Sequence, residues 1–255
     1  MLRLSYGGTL VTVAAPQSLA TKPAPGRRYD HFFFSVMSLL ILLTVFIGFA
    51  HTYYLAGLFH APLPNRIIHI HGAVFSCWIL LFFAQTSLVA AHRIDIHRRL
   101  GLFGFGLSCL MVVLGLWAST DVLLRRGDSF AARAFYAVPL SDMLVFATFV
   151  FFAYRFRTNA PAHKRLILTA TIALLDAAFV RWPIGAPWWH LRAAEFCTNA
   201  LLLGLIAYDL FSLRTVHRMT LWASASLVFI QQVRHPIGAS SFWQHFAASV
   251  QNVLR

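Results

Sequence analysis

Stretches of about 20 predominantly apolar residues recur along this chain, and each is the length an α-helix needs to cross ~30 Å of hydrocarbon. One of them, from Asn65 to Gly101, reads NRIIHIHGAVFSCWILLFFAQTSLVAAHRIDIHRRLG. Its middle is apolar enough to span, yet it carries histidines at one end, Gln85 toward the other, and a basic loop behind it. In lipid only helices and closed barrels satisfy every backbone N–H and C=O. The two-residue alternation of a barrel is missing, so the expected fold is all-α, a polytopic transmembrane helix bundle.

Hydrophobic residues make up 59% of the 255 and charged ones 11%, where a soluble domain runs nearer half and a quarter. Seven spans are expected, at about 32–55, 68–91, 100–123, 137–156, 164–183, 191–212 and 219–234. Residues 1–30, rich in proline and glycine, read as a mobile cytoplasmic tail with no cleavable leader, so the first span doubles as the insertion signal. Residues 31–235 form the bundle. Residues 236–255 place Phe242, Trp243, Phe246, Ala247 and Val250 near helical spacing, which suits an amphipathic segment lying in the interface.

The formal charge is +13, but the basic residues fall mainly in short loops between spans. That is the positive-inside pattern and not a nucleic-acid surface. With the N-terminus cytoplasmic, thirteen Lys and Arg fall inside and eight outside. The expected location is a bacterial inner membrane, with the lipid bilayer as partner. Cys77, Cys109 and Cys197 all lie inside spans without a CxxC pair, so they read as small core residues. HRRLG (97–101), HKRLI (163–167) and HRMTL (217–221) each open a span on the cytoplasmic side, where such clusters anchor helix starts at the headgroups.

An ionisable group in hydrocarbon costs about 2.5–3.5 kcal/mol even on the lenient insertion scale. Asp142, Asp176, Glu195 and Asp209 are four of only eight acids, and all four fall inside spans. At ~1.5 Å per residue, Asp142 lies ~8 Å, Asp176 ~10 Å and Glu195 ~6 Å in from the outer side. His51, His71, Gln231 and Gln232 sit at similar depth, with Arg181, Arg192, Arg234, His190 and His235 around them. Residues from six helices therefore share one outer layer and are expected to face each other inside the bundle. His71, Phe75, Trp78, Phe82 and Gln85 share a stripe at helical spacing, so His71 points inward and His69 toward the headgroups. The same layer also reads as helix glue: Arg181 neutralising Asp142 and Asp176, Arg192 pairing with Glu195 at i,i+3, and Arg214 capping Asp209.

HIHGAVFSCWILLFFAQTSLVAAHRIDIHRRLG, HKRLILTATIALLDAAFVRWP and AYDLFSLRTVHRM together resemble a family of bacterial multi-pass membrane proteins. The resemblance covers the chain from about residue 65 onward. It implies that His71, Gly72, Trp78, Gln85, His97, Arg98, Gly101, His163, Lys164, Arg165, Arg181, Asp209 and His217 belong to the family pattern. It speaks to class and location and supplies no mechanism.

Four functions compete. A redox protein holding b-type haem would take iron between two histidines at one depth. His51 with His71 (His190 or His235 as substitutes) is the outer pair, His97 with His163 the inner one, and Arg181 would neutralise propionates. This is the leading expectation, although no histidine lies deep in a span. A divalent-metal hydrolase would use His51, His71, Asp142, Asp176 and Glu195 as mixed ligands, without an HExxH spacing to support it. A proton-coupled carrier would line its path with the same groups, without the usual Gly/Pro-broken helix pair. An assembly factor or sensor would use them as glue. No GxGxxG, Walker loop or CxxCH occurs, so nicotinamide, ATP and c-type haem are not expected.

Overall fold

The computed structural model describes residues 29–62, 64–184 and 191–254. The tail expected over 1–30 lies almost wholly outside them, as does His190. The described elements are all helical: α1 Asp30–Phe49, α2 Arg66–Ala90, α3 Ile94–Arg125, α4 Phe130–Arg155, α5 Ala160–Ile172, α6 Asp176–Phe179, α7 Leu191–Leu213, α8 Arg218–Ala239 and α9 Ser241–Leu254. A π-helical turn, Ala50–Tyr54, extends α1. Five segments are long and apolar enough to cross a membrane: Asp30–Tyr54, Arg66–Ala90, Ile94–Arg125, Phe130–Arg155 and Arg192–Leu213. The chain is an all-α polytopic membrane bundle with these five candidate spans.

Helix starts follow local chemistry. The Asn65 side chain accepts from the Ile68 N–H at 2.9 Å, and Ser129 and Asn159 do the same for α4 and α5. His217 caps α8 through Nδ1, which accepts from the Met219 N–H at 3.1 Å. Such caps satisfy N–H groups that the first turn leaves open. Reversals use left-handed backbone at His92, Gly127 and Arg214.

Successive helices α1 to α4 pack side by side, α4 packs on α8, and α6 and α7 bring the chain back to α1. The middle of the bundle is α5, in contact with α4, α7 and α8. From Leu166 to Ile172 it is buried nearly all round, the mark of an internal helix. Lipid-facing apolar side chains, among them Phe103, Val113, Trp117 and Phe196, cover the outside. Between helices the packing is close. A Cβ at Gly48 would stand 2.3 Å from the Ala178 carbonyl oxygen, and one at Gly238 2.5 Å from that of Ala134. Only small residues allow such approach, and in lipid, packing of this kind holds helices together.

Two expected spans differ from simple helices. The fifth is interrupted at residues 173–175, where N–H groups of Leu174 and Leu175 reach back three residues to Thr171 and Ile172. Neither glycine nor proline marks this break. The seventh runs past its expected end at 234 and through Pro236 to Ala239, because a proline removes one N–H without forbidding the helix where packing holds it. Residues 236–239 thus belong to α8, and α9 begins at Ser241. It lies against α4 and α3 with Ala247 and Gln251 buried. Trp243 Nε1 donates to the Arg133 carbonyl at 2.9 Å, and Gln251 Nε2 to the carbonyls of Leu123 and Gly127.

Candidate functional site: a buried arginine holding three carboxylates

Arg234 on α8 is 2% exposed, and three acids from three other helices surround it. Its Nη1 donates to Asp142 Oδ1 on α4 at 2.7 Å, and its Nη2 to Asp176 Oδ2 at the start of α6, also at 2.7 Å. Nε and Nη2 donate to Glu195 Oε1 on α7 at 3.1 and 2.5 Å. Asp176 gains a bond from Thr198 Oγ1 at 2.5 Å and a longer one from Gln231 Nε2 at 3.4 Å. His235 Nε2 lies 2.8 Å from Glu195 Oε1, and Arg192 Nη1 lies 3.3 Å from Oε2. The break between α5 and α6 has a consequence here, because it sets the Asp176 carboxylate beside Thr198 and Arg234.

Charge does not balance inside this cluster. Three carboxylates face one buried guanidinium. Two further groups meet Glu195 nearer the surface: Arg192, whose side chain is 48% exposed and screened by water, and His235, a cation only when protonated. Removing ions from water costs several kcal/mol each unless partners replace the hydration. Asp142 is the least well served. Arg234 is its one hydrogen-bonding partner among the described residues, whereas Asp176 and Glu195 each have three. Its side chain is also the most exposed of the three, at 16%.

A second ionic cluster sits at the other end of α7 and α8. Glu195 to Asp209 on α7 and Thr220 to Arg234 on α8 each span fourteen residues, about 21 Å of helix. There Arg165, 2% exposed, grips Asp209 through Nε at 3.0 and 3.2 Å and through Nη2, while its Nη1 donates to the Pro161 carbonyl. Asp209 also accepts from Thr220 Oγ1 at 2.5 Å and from the His217 N–H at 3.1 Å. Beside it, Lys164 Nζ and Tyr208 Oη both contact Asp30 Oδ1. Two cations meet two anions. Phe146, Phe149, Leu166, Leu168, Leu205 and Leu227, all buried, fill the core of the bundle.

The expected outer layer is met in part. Asp142, Asp176, Glu195 and Gln231 come together as the depth argument required. His51 and His71 take aromatic partners of their own: His51 packs on Phe59 with ring centroids 4.5 Å apart, and His71 on Phe75 at 4.0 Å. His71 Nδ1 is buried without a hydrogen-bond partner, and so is Gln231 Oε1. Arg181 does not neutralise the acids. Its Nη1 donates to the Ala177 carbonyl at 2.5 Å and its guanidinium stacks over Phe49. Arg165, and not Arg214, holds Asp209. The cation that organises the outer layer, Arg234, counts by sequence merely as a rim residue. Its place three residues after Gln231, on the same face of α8, is the signal that could have found it. Among the described residues no three His, Cys, Asp or Glu side chains form a group able to hold a metal ion.

At the opposite end of α2 from His71, Gln85 answers the question raised by its place in that helix. With its amide nitrogen toward α3, it donates to His97 Nδ1 at 2.6 Å and its oxygen accepts from the Gly101 N–H at 2.9 Å. His163 Nδ1 donates to the Ala153 carbonyl at 2.9 Å. The rings of His97 and His163 are 6.3 Å apart and nearly perpendicular. His163 Nδ1 donates, which leaves its Nε2 lone pair free to ligate, whereas His97 Nδ1 accepts, which puts the proton of the neutral ring on Nε2.

No protein-family model, no curated protein and no solved structure matches this chain, so its site is read from its own chemistry.

Proposed function

We propose that the protein is a proton-linked membrane carrier whose outer carboxylate cluster takes up and releases a proton at Asp142. The observation that carries this reading is the excess of three acids over one buried arginine. Carboxylates sharing one site cannot all ionise cheaply, and a proton on Asp142 cuts the surplus from two charges to one, which Arg192 meets at Glu195, while leaving the other two salt bridges of Arg234 intact. Half-buried His235 and exposed Arg192 link Glu195 toward the surface. The apolar core between the two ionic clusters favours access from one side at a time, as a coupled carrier requires. In this reading α5–α6 and α8 complete seven crossings with the N-terminus in the cytoplasm of a bacterium. The α9 helix lies in the outer interface with Phe242 and Val253 in lipid.

Infrared difference spectroscopy of the protein in nanodiscs tests the proposal. Acidification should add a protonated-carboxyl C=O band, and Asp142→Asn should remove it. A spectrum unchanged on acidification, or the same band in Asp142→Asn, overturns the reading.

His163, with its Nε2 left free, supports a second reading, a redox protein with haem iron between His163 and His97, in which His97 would turn an Nδ1–H to the Gln85 amide oxygen. A dithionite-reduced minus oxidised visible spectrum of protein from haem-replete cells decides it. Sharp α and β bands, lost in His163→Ala, are expected; a flat spectrum rejects it.

A further inference from the structure

Between α3, α4 and α8 lies a groove of about 470 Å³, within the size range of small-molecule sites. Val112, Leu116, Leu140 and Leu144 form its walls, Trp243 of α9 stands at one end, and Arg234 belongs to its lining. Leu116 and Leu144 are 42% and 62% exposed on the outside of the bundle. In a chain that spans the membrane, such a mouth opens into lipid and not into water. The walls are almost wholly apolar, so whatever fills the groove is mostly hydrocarbon.

Two polar residues belong to that lining, Ser141, whose hydroxyl donates to the Val138 carbonyl at 2.7 Å, and Arg234. An arginine side chain has five N–H donors. Nε, both hydrogens of Nη2 and one of Nη1 are used by Glu195, Asp176 and Asp142. One N–H of Nη1 keeps no acceptor among the described residues, on a side chain that is 1% exposed. A buried donor left open costs about 1–3 kcal/mol, so an acceptor arriving through the groove would be held. An anion would meet three carboxylates and be repelled. A neutral oxygen would not, which selects a carbonyl.

We propose that this groove is a lateral binding site for a lipophilic molecule with a neutral carbonyl acceptor. The carbonyl is set against the free N–H of Arg234, and the hydrocarbon lies along Leu116, Leu140 and Leu144. The inference deepens the proton-linked reading by naming the substrate class, since the carbonyl would stand beside Asp142. A quinone and the ester carbonyl of a bilayer lipid share this chemistry.

The test is photolabelling of the full chain in nanodiscs with an azido-quinone bearing a decyl tail, with labelled peptides mapped by mass spectrometry. Label should concentrate on residues 137–147 and 230–237. It should fall about tenfold in Ala147→Phe, which enlarges a residue of the groove's lining, the loss equivalent to about 1.4 kcal/mol of binding. Thermal stability of Ala147→Phe reports that the bundle is intact; Ala147→Leu, a smaller obstruction, replaces it if the larger variant does not fold. Competition with decylquinone, decylbenzene and excess phosphatidylcholine identifies the occupant. Decylquinone should displace label about tenfold better than decylbenzene. Phosphatidylcholine matching decylquinone makes the lipid ester the natural occupant. Decylbenzene competing equally, or label spread over every lipid-facing helix, overturns the proposal. Labelling does not depend on a carboxyl taking up a proton, so loss of the infrared band with specific labelling retained would reject the proton reading alone.

Discussion

The two ionic clusters share α7 and α8, lie about 21 Å apart along them, and differ in arithmetic. At the inner end Arg165 and Lys164 face Asp209 and Asp30, and each carboxylate is also held by neutral donors. At the outer end Asp142, Asp176 and Glu195 converge on Arg234. A balanced cluster can only lose by changing its charge. An unbalanced one gains when a proton arrives. A buried arginine gripping carboxylates therefore serves as a clasp at one end and as a site at the other.

The comparison breaks most sharply on the arginines. Arg165→Met should destabilise the protein by about 3–5 kcal/mol, the usual result of orphaning one buried charge. Arg234→Met should cost at least as much, because three acids lose their partner. Rescue separates them. Asp209→Leu added to Arg165→Met should recover most of the loss, whereas Glu195→Leu added to Arg234→Met should not, since two carboxylates remain. Thermal unfolding of the four variants in detergent measures this.

Single acids give the next contrast. Asp209→Asn removes half of a balanced pair and should cost about 3 kcal/mol. Asp142→Asn removes surplus charge and should cost under about 1 kcal/mol. Equal losses in the two variants would mean that the outer cluster is as fully ionised as the inner one. Close packing near the outer cluster supplies a smaller effect. Gly238→Ala forces α8 away from the Ala134 carbonyl and should cost about 1–3 kcal/mol. Gly106→Ala, with open space around it, should be neutral or stabilising by up to about 1 kcal/mol.

The smallest effect is a pH slope at the inner end. Burial first, and then the Arg165 charge, hold the His217 imidazole below its ordinary value of 6.5. The unfolded chain then binds the proton more readily than the folded one. The contribution of neutral His217 is complete above about pH 6.5 and is lost as pH falls from there toward the folded value. Protonation also removes the Nδ1 acceptor that caps α8. His217→Asn, which retains an acceptor for the cap, should flatten the slope of melting temperature between about pH 6.5 and 5.

Much of the membrane architecture is legible in the sequence because it depends on local quantities. Apolar length and the demand for backbone hydrogen bonds dictate helices. Depth along a helix places Asp142, Asp176, Glu195 and Gln231 in one layer, and three-residue spacing pairs Arg192 with Glu195. Azimuth and packing do not follow from depth. Which helix turns which face inward decides that Arg234 stands at the centre of that layer and that Arg181 turns away to Phe49, whereas the His71–Phe75 contact is local to one helix face. The break at 173–175 carries no glycine or proline to announce it. It is held by contacts from α1, α7 and α8 that form only once the bundle assembles. The sequence alone determined that this chain crosses a membrane as helices and buries acids in it, because hydrophobic length and desolvation act residue by residue. The tertiary structure decided which cations those acids meet and where the charge fails to balance, because that is a property of four helices at once.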